Sequence, residues 1–290
     1  MFKNFSPSAL GVSGHQSEMI ELALTYGFAG MDLNVVEFAT QAKLKGLPFA
    51  KRLIESAKIR IGTFALPLEI EAADEDFQKD LKKLAEYADC ASQLGCTRCT
   101  VTLAAASDSR PYHENFEFHR RRLHDICTAL QPTGIRLAVG FQAAAHLRRD
   151  RAFEFIHDLD ALTLLLNMVA APNVGLLVDT WDIVAAGGSA DSIRKFPVGQ
   201  LLAVQGADLP ADASAELDDK SRLLPGAENG RGDVARFVAV LRELGYDGPI
   251  TAKPSRSVFQ SRRREVIVKQ AVESLNRVLS PAATQPESGS

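Results

Sequence analysis

Histidine and cysteine are the first residue types to test for chemistry, because both ligate metals and both move protons near neutral pH. Six histidines and four cysteines are present in 290 residues. His15, His113 and His146 fall in loops that follow the first, fourth and fifth strands proposed below, and His119, His124 and His157 fall in or beside helices, where a solvated role is expected. No pair has the HxxxH or HxH spacing that would bring two imidazoles to one zinc ion. Cys96-Thr-Arg-Cys99 is a lone CxxC without the second pair a zinc ribbon needs, and it sits where a helix ends rather than where a redox helix would start. It reads as small buried residues around a turn; Cys90 and Cys127 are the other two cysteines. The basic loop His146-Leu-Arg148-Arg149-Asp-Arg151 has the donors to hold a phosphate or carboxylate, or forms a solvated loop with local pairing to Asp150. Ser261-Arg262-Arg263-Arg264-Glu265 opens the last helix as an exposed face or an interface.

The elements that position such residues are legible as one repeated phrase. An amphipathic helix ends near Gly or Pro, and a short apolar run follows. Strands are expected at Asn4–Leu10, Gly30–Asn34, Arg60–Leu66, Arg98–Leu103, Ile135–Phe141, Val174–Asp179, Gln200–Gln205 and Pro249–Lys253. Helical stripes lie between them, for example Phe77, Leu81, Leu84, Ala88 and Ala91, or Val234, Phe237, Val238, Leu241 and Leu244 with Asp233 as N-cap. Gly27, Gly95, Gly134 and Gly245 mark helix ends.

Eight β–α units with almost continuously apolar strands imply a parallel sheet covered by helices, and eight strands close a barrel. An open doubly wound sheet would want a Gly-rich phosphate turn after an early strand, and Gly11-Val-Ser-Gly-His15 is not one. The length suits a single α/β barrel of residues 1–279, and the polar, small-residue tail 280–290 is expected to be disordered. The 46% hydrophobic content fills such a core. With 33 basic against 36 acidic residues, nothing attracts nucleic acid or an anionic membrane surface. No apolar run spans a bilayer and the first residues lack a signal-peptide core, so a cytoplasmic location is expected.

Barrel chemistry is carried at the C-terminal ends of the strands. There, Pro172-Asn-Val-Gly-Leu-Leu-Val-Asp179-Thr-Trp-Asp182, Val204-Gln205-Gly-Ala-Asp208, Leu224-Pro-Gly226 and Leu244-Gly-Tyr-Asp-Gly-Pro-Ile-Thr-Ala-Lys253-Pro254 resemble successive motifs of the xylose isomerase-like sugar phosphate isomerase/epimerase family. Pro111-Tyr-His-Glu-Asn-Phe-Glu-Phe-His-Arg-Arg-Arg-Leu123 fits the same family, and the resemblance runs from about Ser6 to Leu279. It implies a (β/α)8 barrel and, in active members, a divalent cation held by a Glu, an Asp, a His or Gln, and a Glu at the ends of strands five to eight. Such an ion polarises a sugar carbonyl while the two Glu residues move a proton between adjacent carbons.

Carried onto this chain, that set becomes Gly140, Asp179, Gln205 and Lys253. Both Glu positions are lost, one to a cation, and the His that follows the strand-six Asp is Asp182. No metal is expected; Mn²⁺ or Mg²⁺ enters only if the site has moved. The dense His/Asp/Glu cluster of the AP-endonuclease branch is absent. Asp179 and Lys253 stand as the candidate catalytic pair. Asp182, Gln205, Asp208, Arg222, His113 and Trp181 stand as candidate ligand contacts for a sugar, polyol or sugar phosphate, and a homodimer is compatible with the family. The favoured reading is a metal-independent or non-catalytic sugar-binding homologue. The alternatives are an isomerase with a relocated acid–base site using His113, Glu114 or Asp182, and a Schiff-base enzyme using Lys253. The last is weakened because carboxylate neighbours hold a lysine protonated.

Overall fold

A computed structural model of the chain describes residues 1–212 and 217–280. The tail expected to be disordered lies outside the described residues beyond Ser280. Eight parallel strands follow one another around a ring: β1 (Phe2–Phe5), β2 (Gly30–Met31), β3, β4 (Arg98–Thr102), β5 (Arg136–Gly140), β6 (Val174–Asp179), β7 (Leu201–Gly206) and β8 (Pro249–Ala252). β3 is built in two pieces, and this closes the barrel. Arg60–Ile61 pairs with β2, Phe64–Ala65 pairs with β4, and β1 pairs with β8. The open-sheet alternative is thereby excluded. Helices α1 (Gln16–Thr25), α2 (Val35–Lys45), α3 (Leu47–Ala57), α4 (Asp74–Ser92), α5 (Tyr112–Leu130), α6 (Leu159–Val169), α7 (Thr180–Ala185), α8 (Asp233–Glu243) and α9 (Arg264–Leu279) fill the connections. This is an α/β barrel, a curled parallel sheet ringed by helices.

All eight expected strands are present, and their ends are corrected by local chemistry. β1 stops at Phe5 instead of Leu10, because Pro7 opens a one-turn helix, Pro7–Leu10, that Gly11 ends at φ 68°. β2 is cut short because Asn34 caps α2, its side chain accepting from Glu37 N at 3.3 Å. Asp233 is the first residue of α8 rather than its cap, which is Gly232.

Side chains alternate across each strand, and the two faces have different fates. Leu176, Val178, Ile250 and Val139 join the large core under the helices, where Leu84, Leu123, Leu162 and Phe237 are fully buried. Ala138, Leu177, Leu202 and Ala203 form a separate small cluster that plugs the barrel. Continuing the inward row by two residues on each strand reaches Gly140, Asp179, Gln205 and Lys253 at the mouth. Cys96, Cys99 and Cys127 are buried and unpaired, as small core residues should be.

Candidate functional site

Register places the mouth residues side by side. Gln205 is paired with Asp179 across β6–β7 and with Thr251 across β7–β8, and Lys253 N donates to Gly206 O at 2.9 Å. Lys253 Nζ donates to Asp179 Oδ2 at 3.0 Å and to Gln205 Oε1 at 2.7 Å. Asp179 also caps α7, its Oδ1 accepting from Asp182 N at 3.1 Å.

The centre of this cluster is Arg222, from the β7–α8 loop. One end of its guanidinium donates to both oxygens of Asp179, at 2.9 and 3.0 Å, and the other to Asp182 Oδ2 at 2.6 Å. Ala143 N donates to the second Asp182 oxygen at 2.9 Å. Below the guanidinium lies Trp181, with 4.5 Å from the Arg222 carbon to the ring centre. Two carboxylates and two cations thus neutralise one another in a space from which water is almost excluded: Asp179 is 4%, Asp182 1% and Arg222 7% exposed. Burial raises the Asp179 carboxyl, but the charges of Arg222 and Lys253 outweigh it and hold the group below its ordinary value. Burial and then the Asp179 charge push Asp182 the other way, up to about 6. Burial alone would lower Arg222, yet its two carboxylates raise it.

Several expected ligand contacts are corrected by this arrangement. Arg222 and Asp182 are spent on each other and on Asp179, so neither is available to a ligand. Trp181 is fully buried and offers no face. His113 is exposed in the first turn of α5 and does not line the mouth. Asp208 is structural: its carboxylate accepts from Gly226 N at 2.7 Å and Val234 N at 2.8 Å, and its backbone pairs with Leu223. It therefore holds the loop that carries Arg222. Asp208→Ala should lower the unfolding free energy by about 1–3 kcal/mol while leaving ligand affinity intact, as urea titration beside ligand titration would show.

The remaining histidines have local partners. His146 Nε2 lies 3.4 Å from Asp219, and Arg148 and Arg151 pair with Glu154 and Asp108, so these three side chains pair across to other segments and not with Asp150. His15 caps α1. His119, expected in solvent, is buried with Nδ1 2.8 Å from Asn115 O and Nε2 3.2 Å from Glu71, and burial pushes it down to about 4.

The mouth opens into a cleft of about 810 Å³ bounded by the ends of β1 to β4 and by Gln205 and Lys253, with Leu177 among its lining residues. Its polar lining is mostly hydroxyl and amide, including Ser6, Ser8, Asn34, Thr100 and Thr102. Asp32, just past β2, also lines it and was not singled out from the sequence. The signal was there: Asp32 stands two residues after Gly30 and so shares its inward face. Its Oδ1 accepts from Asn4 Nδ2 and Thr63 Oγ1, both at 2.7 Å. Asn4 in turn fills the space beside Gly62, where a Cβ would come within 2.1 Å of its Oδ1.

The xylose isomerase-like TIM barrel family model matches residues 20–278. The chain belongs to that family. Among curated relatives, it is 24% identical over 261 residues to a 3-dehydroshikimate dehydratase of Pseudomonas putida, covering 88% of this chain and 38% of that protein. It is 23% identical over 158 residues to an inosose isomerase of Bacillus velezensis, covering 54% of this chain and 53% of that one. It therefore spans between about two-fifths and half of the length of these relatives. A xylose isomerase domain protein of Alicyclobacillus acidocaldarius superposes with a TM-score of 0.86 at 24% identity, covering 96% of this chain and 98% of the other. The IolI protein, solved with a bound zinc atom, superposes at 0.78 with 15% identity, covering 97% and 98%.

The IolI protein holds a zinc atom, so the four positions can be tested against a divalent ion. Gly140 carries no donor, and a Cβ there would sit 3.2 Å from Leu177 Cδ2. Both oxygens of Asp179 and the amide oxygen of Gln205 already accept from cations. A dication would meet Arg222 and Lys253 at contact range, and its attraction to the two carboxylates is already cancelled. The residues present do not fit a divalent ion. Among the described residues, no group of three or more His, Cys, Asp or Glu side chains is placed to hold one. Nor, among them, is any helix long and apolar enough to cross a membrane.

Proposed function

We propose that this barrel, as one domain of residues 1–279, binds a small polyhydroxylated ligand in its mouth without a divalent cation. The observation that carries the reading is the occupation of Asp179, Asp182 and Gln205 by Arg222 and Lys253, which puts fixed cations where an ion would otherwise be needed. The hydroxyl- and amide-rich cleft beside them supplies neutral donors and acceptors over apolar side chains, the composition of a sugar or polyol site. Lys253 is the cleft's one cation among the described residues, against Asp32 and Glu37, so an uncharged sugar or polyol suits it better than a sugar phosphate. The relative named for inosose points to the same class, a neutral ring polyol bearing a carbonyl, and the one named for 3-dehydroshikimate to a ring hydroxyketone that also carries a carboxylate. Unpaired cysteines suit a reducing, cytoplasmic setting. Pairing with a second copy belongs to the same reading and is checked by mass in solution.

A relocated acid–base site on His113, Glu114 or Asp182 draws little support: the first two are exposed on α5 away from the cleft, and Asp182 is sealed beneath it. A Schiff-base role for Lys253 would need its nitrogen released from Asp179 and Gln205, which both accept from it.

Thermal-shift titration with inosose, 3-dehydroshikimate, inositols and their phosphates checks the proposal. The uncharged ligands should raise the melting temperature equally with and without chelator. A rise that requires Mn²⁺, Mg²⁺ or Zn²⁺, or protein that purifies with near-stoichiometric metal and loses stability in chelator, would count against it.

A further inference from the structure

We propose that Asp32 is the proton-transferring carboxyl of this mouth, working with the Lys253 ammonium to enolise a hydroxyketone bound in the cleft. The proposal rests on the metal-independent binding reading and adds catalysis to it. Any enolisation needs a base within reach of a carbon next to the carbonyl and a positive group at the carbonyl oxygen. The family's two bases are gone from this chain, at Gly140 and Lys253. Asp179 and Asp182 are held by Arg222 and shielded from the cleft. Two carboxyls remain along its wall, Asp32 and Glu37. Glu37 lies in the first turn of α2 and accepts from its own cap, Asn34. Asp32 is at a strand end, on rigid backbone, with Asp32 N donating to Phe5 O at 2.8 Å.

The hydrogen bonds around Asp32 orient its carboxyl in the cleft wall. The Asn4 and Thr63 side chains both donate to Oδ1, and Ser6 hydrogen-bonds the carboxyl as well, which fixes its plane. Burial pushes the group above its ordinary 3.8, against hydrogen bonds from Ser6, Thr63 and Asn4, and a more basic carboxylate is a better proton acceptor. Lys253 is matched to its role in the same way. An ammonium has three N–H bonds; two go to Asp179 and Gln205, and the third is left for the cleft that Lys253 lines.

The chemistry then balances without an added oxidant or metal. Asp32 takes the proton from the carbon beside the carbonyl. The C–H electron pair becomes the C=C bond of an enediolate, and the carbonyl π pair moves to oxygen, where the Lys253 N–H holds it. Returning the proton to the same carbon regenerates the ketone. Delivering it to the former carbonyl carbon, while the neighbouring hydroxyl proton passes to the oxygen held by Lys253, moves the carbonyl by one carbon.

The test is deuterium uptake in D2O containing chelator, with inosose and 3-dehydroshikimate as probes, read by proton NMR beside their thermal shifts. The wild-type protein should place deuterium next to the carbonyl. Asp32→Asn, which keeps an acceptor for Asn4 and Thr63, should still bind but exchange at least about 100-fold more slowly. If Asp32→Asn fails to fold, Asp32→Ala with added formate replaces it: recovery of exchange supports the role, and none overturns it. Binding by the wild type without exchange, exchange unchanged in Asp32→Asn, or exchange abolished by chelator overturns the inference while leaving binding itself standing. Neither binding nor exchange with these probes overturns both readings.

Discussion

Arg222→Ala is expected to lower the unfolding free energy by about 3–5 kcal/mol, the usual consequence of removing one partner from a buried ion pair. Arg222 is 7% exposed and neutralises two carboxylates that are almost fully buried. Without it, Asp179 keeps Lys253, whereas Asp182 is left with a single backbone donor, Ala143 N. Trp181 would also lose the cation stacked on its ring. The pH dependence gives the prediction a second readout. In the wild type, Asp179 is depressed, so its contribution is present above its ordinary 3.8 and lost as pH falls below it. Asp182 is raised to about 6, so the folded form holds its proton more tightly, and stability declines as pH rises from 3.8 through about 6. The Arg222→Ala variant loses the cation that opposes both protonations. Its deficit should therefore be largest near neutral pH and shrink toward pH 4.5, where the carboxyls can neutralise themselves. Urea midpoints at the two pH values decide it. A deficit that is equal at both, or below about 1 kcal/mol, would mean that the cluster is solvated.

Lys253→Glu should destabilise the fold by about 2–4 kcal/mol, more than Lys253→Ala. The ammonium lies 3.0 Å from Asp179, and a charge reversal exchanges that attraction for repulsion. At an effective dielectric of about 20, either term amounts to about 4 kcal/mol at 4 Å. The Lys253 side chain is 28% exposed, so solvent reduces both. Adding Gly140→Glu restores the carboxylate count of the metal-dependent pattern, yet it should not create a metal site. Arg222 still occupies Asp179, and the new side chain must press against Leu177, whose Cδ2 would lie 3.2 Å from its Cβ. Only the triple change, with Arg222→Met as well, should make the melting temperature rise with Mn²⁺, by the mass-action stabilisation expected when an ion binds only the folded form. A Mn²⁺ response in the double variant, with Arg222 present, would show that the guanidinium yields to a cation.

The barrel was legible in the linear sequence because its signals are local. Apolar runs such as Val174-Gly-Leu-Leu-Val-Asp179, helix stripes and glycines with positive φ, including Gly95 and Gly134, depend on neighbours only a few residues away. The sequence also shows Gly140, which has no donor, and Lys253, a cation, where the resembled family's pattern has Glu. The sequence likewise marked Asp179 and Lys253 as strand-end residues. What surrounds Asp179 was decided by tertiary structure. Arg222 lies 40 residues or more from both of its carboxylates, and nothing in its surroundings tells a ligand-facing arginine from one turned inward. Trp181 and Asp208 were misread for the same reason: an indole or a carboxylate at a strand end has the same sequence whether it faces a cleft or supports a loop. Asp32 shows the converse. Its strand face was set by alternation, but its importance depends on Asn4 and Thr63 arriving from the neighbouring strands, and on Gly62 leaving room for Asn4. Strand identity is written in consecutive residues; charge compensation at a barrel mouth depends on side chains from distant segments converging, and only the closed sheet brings them together.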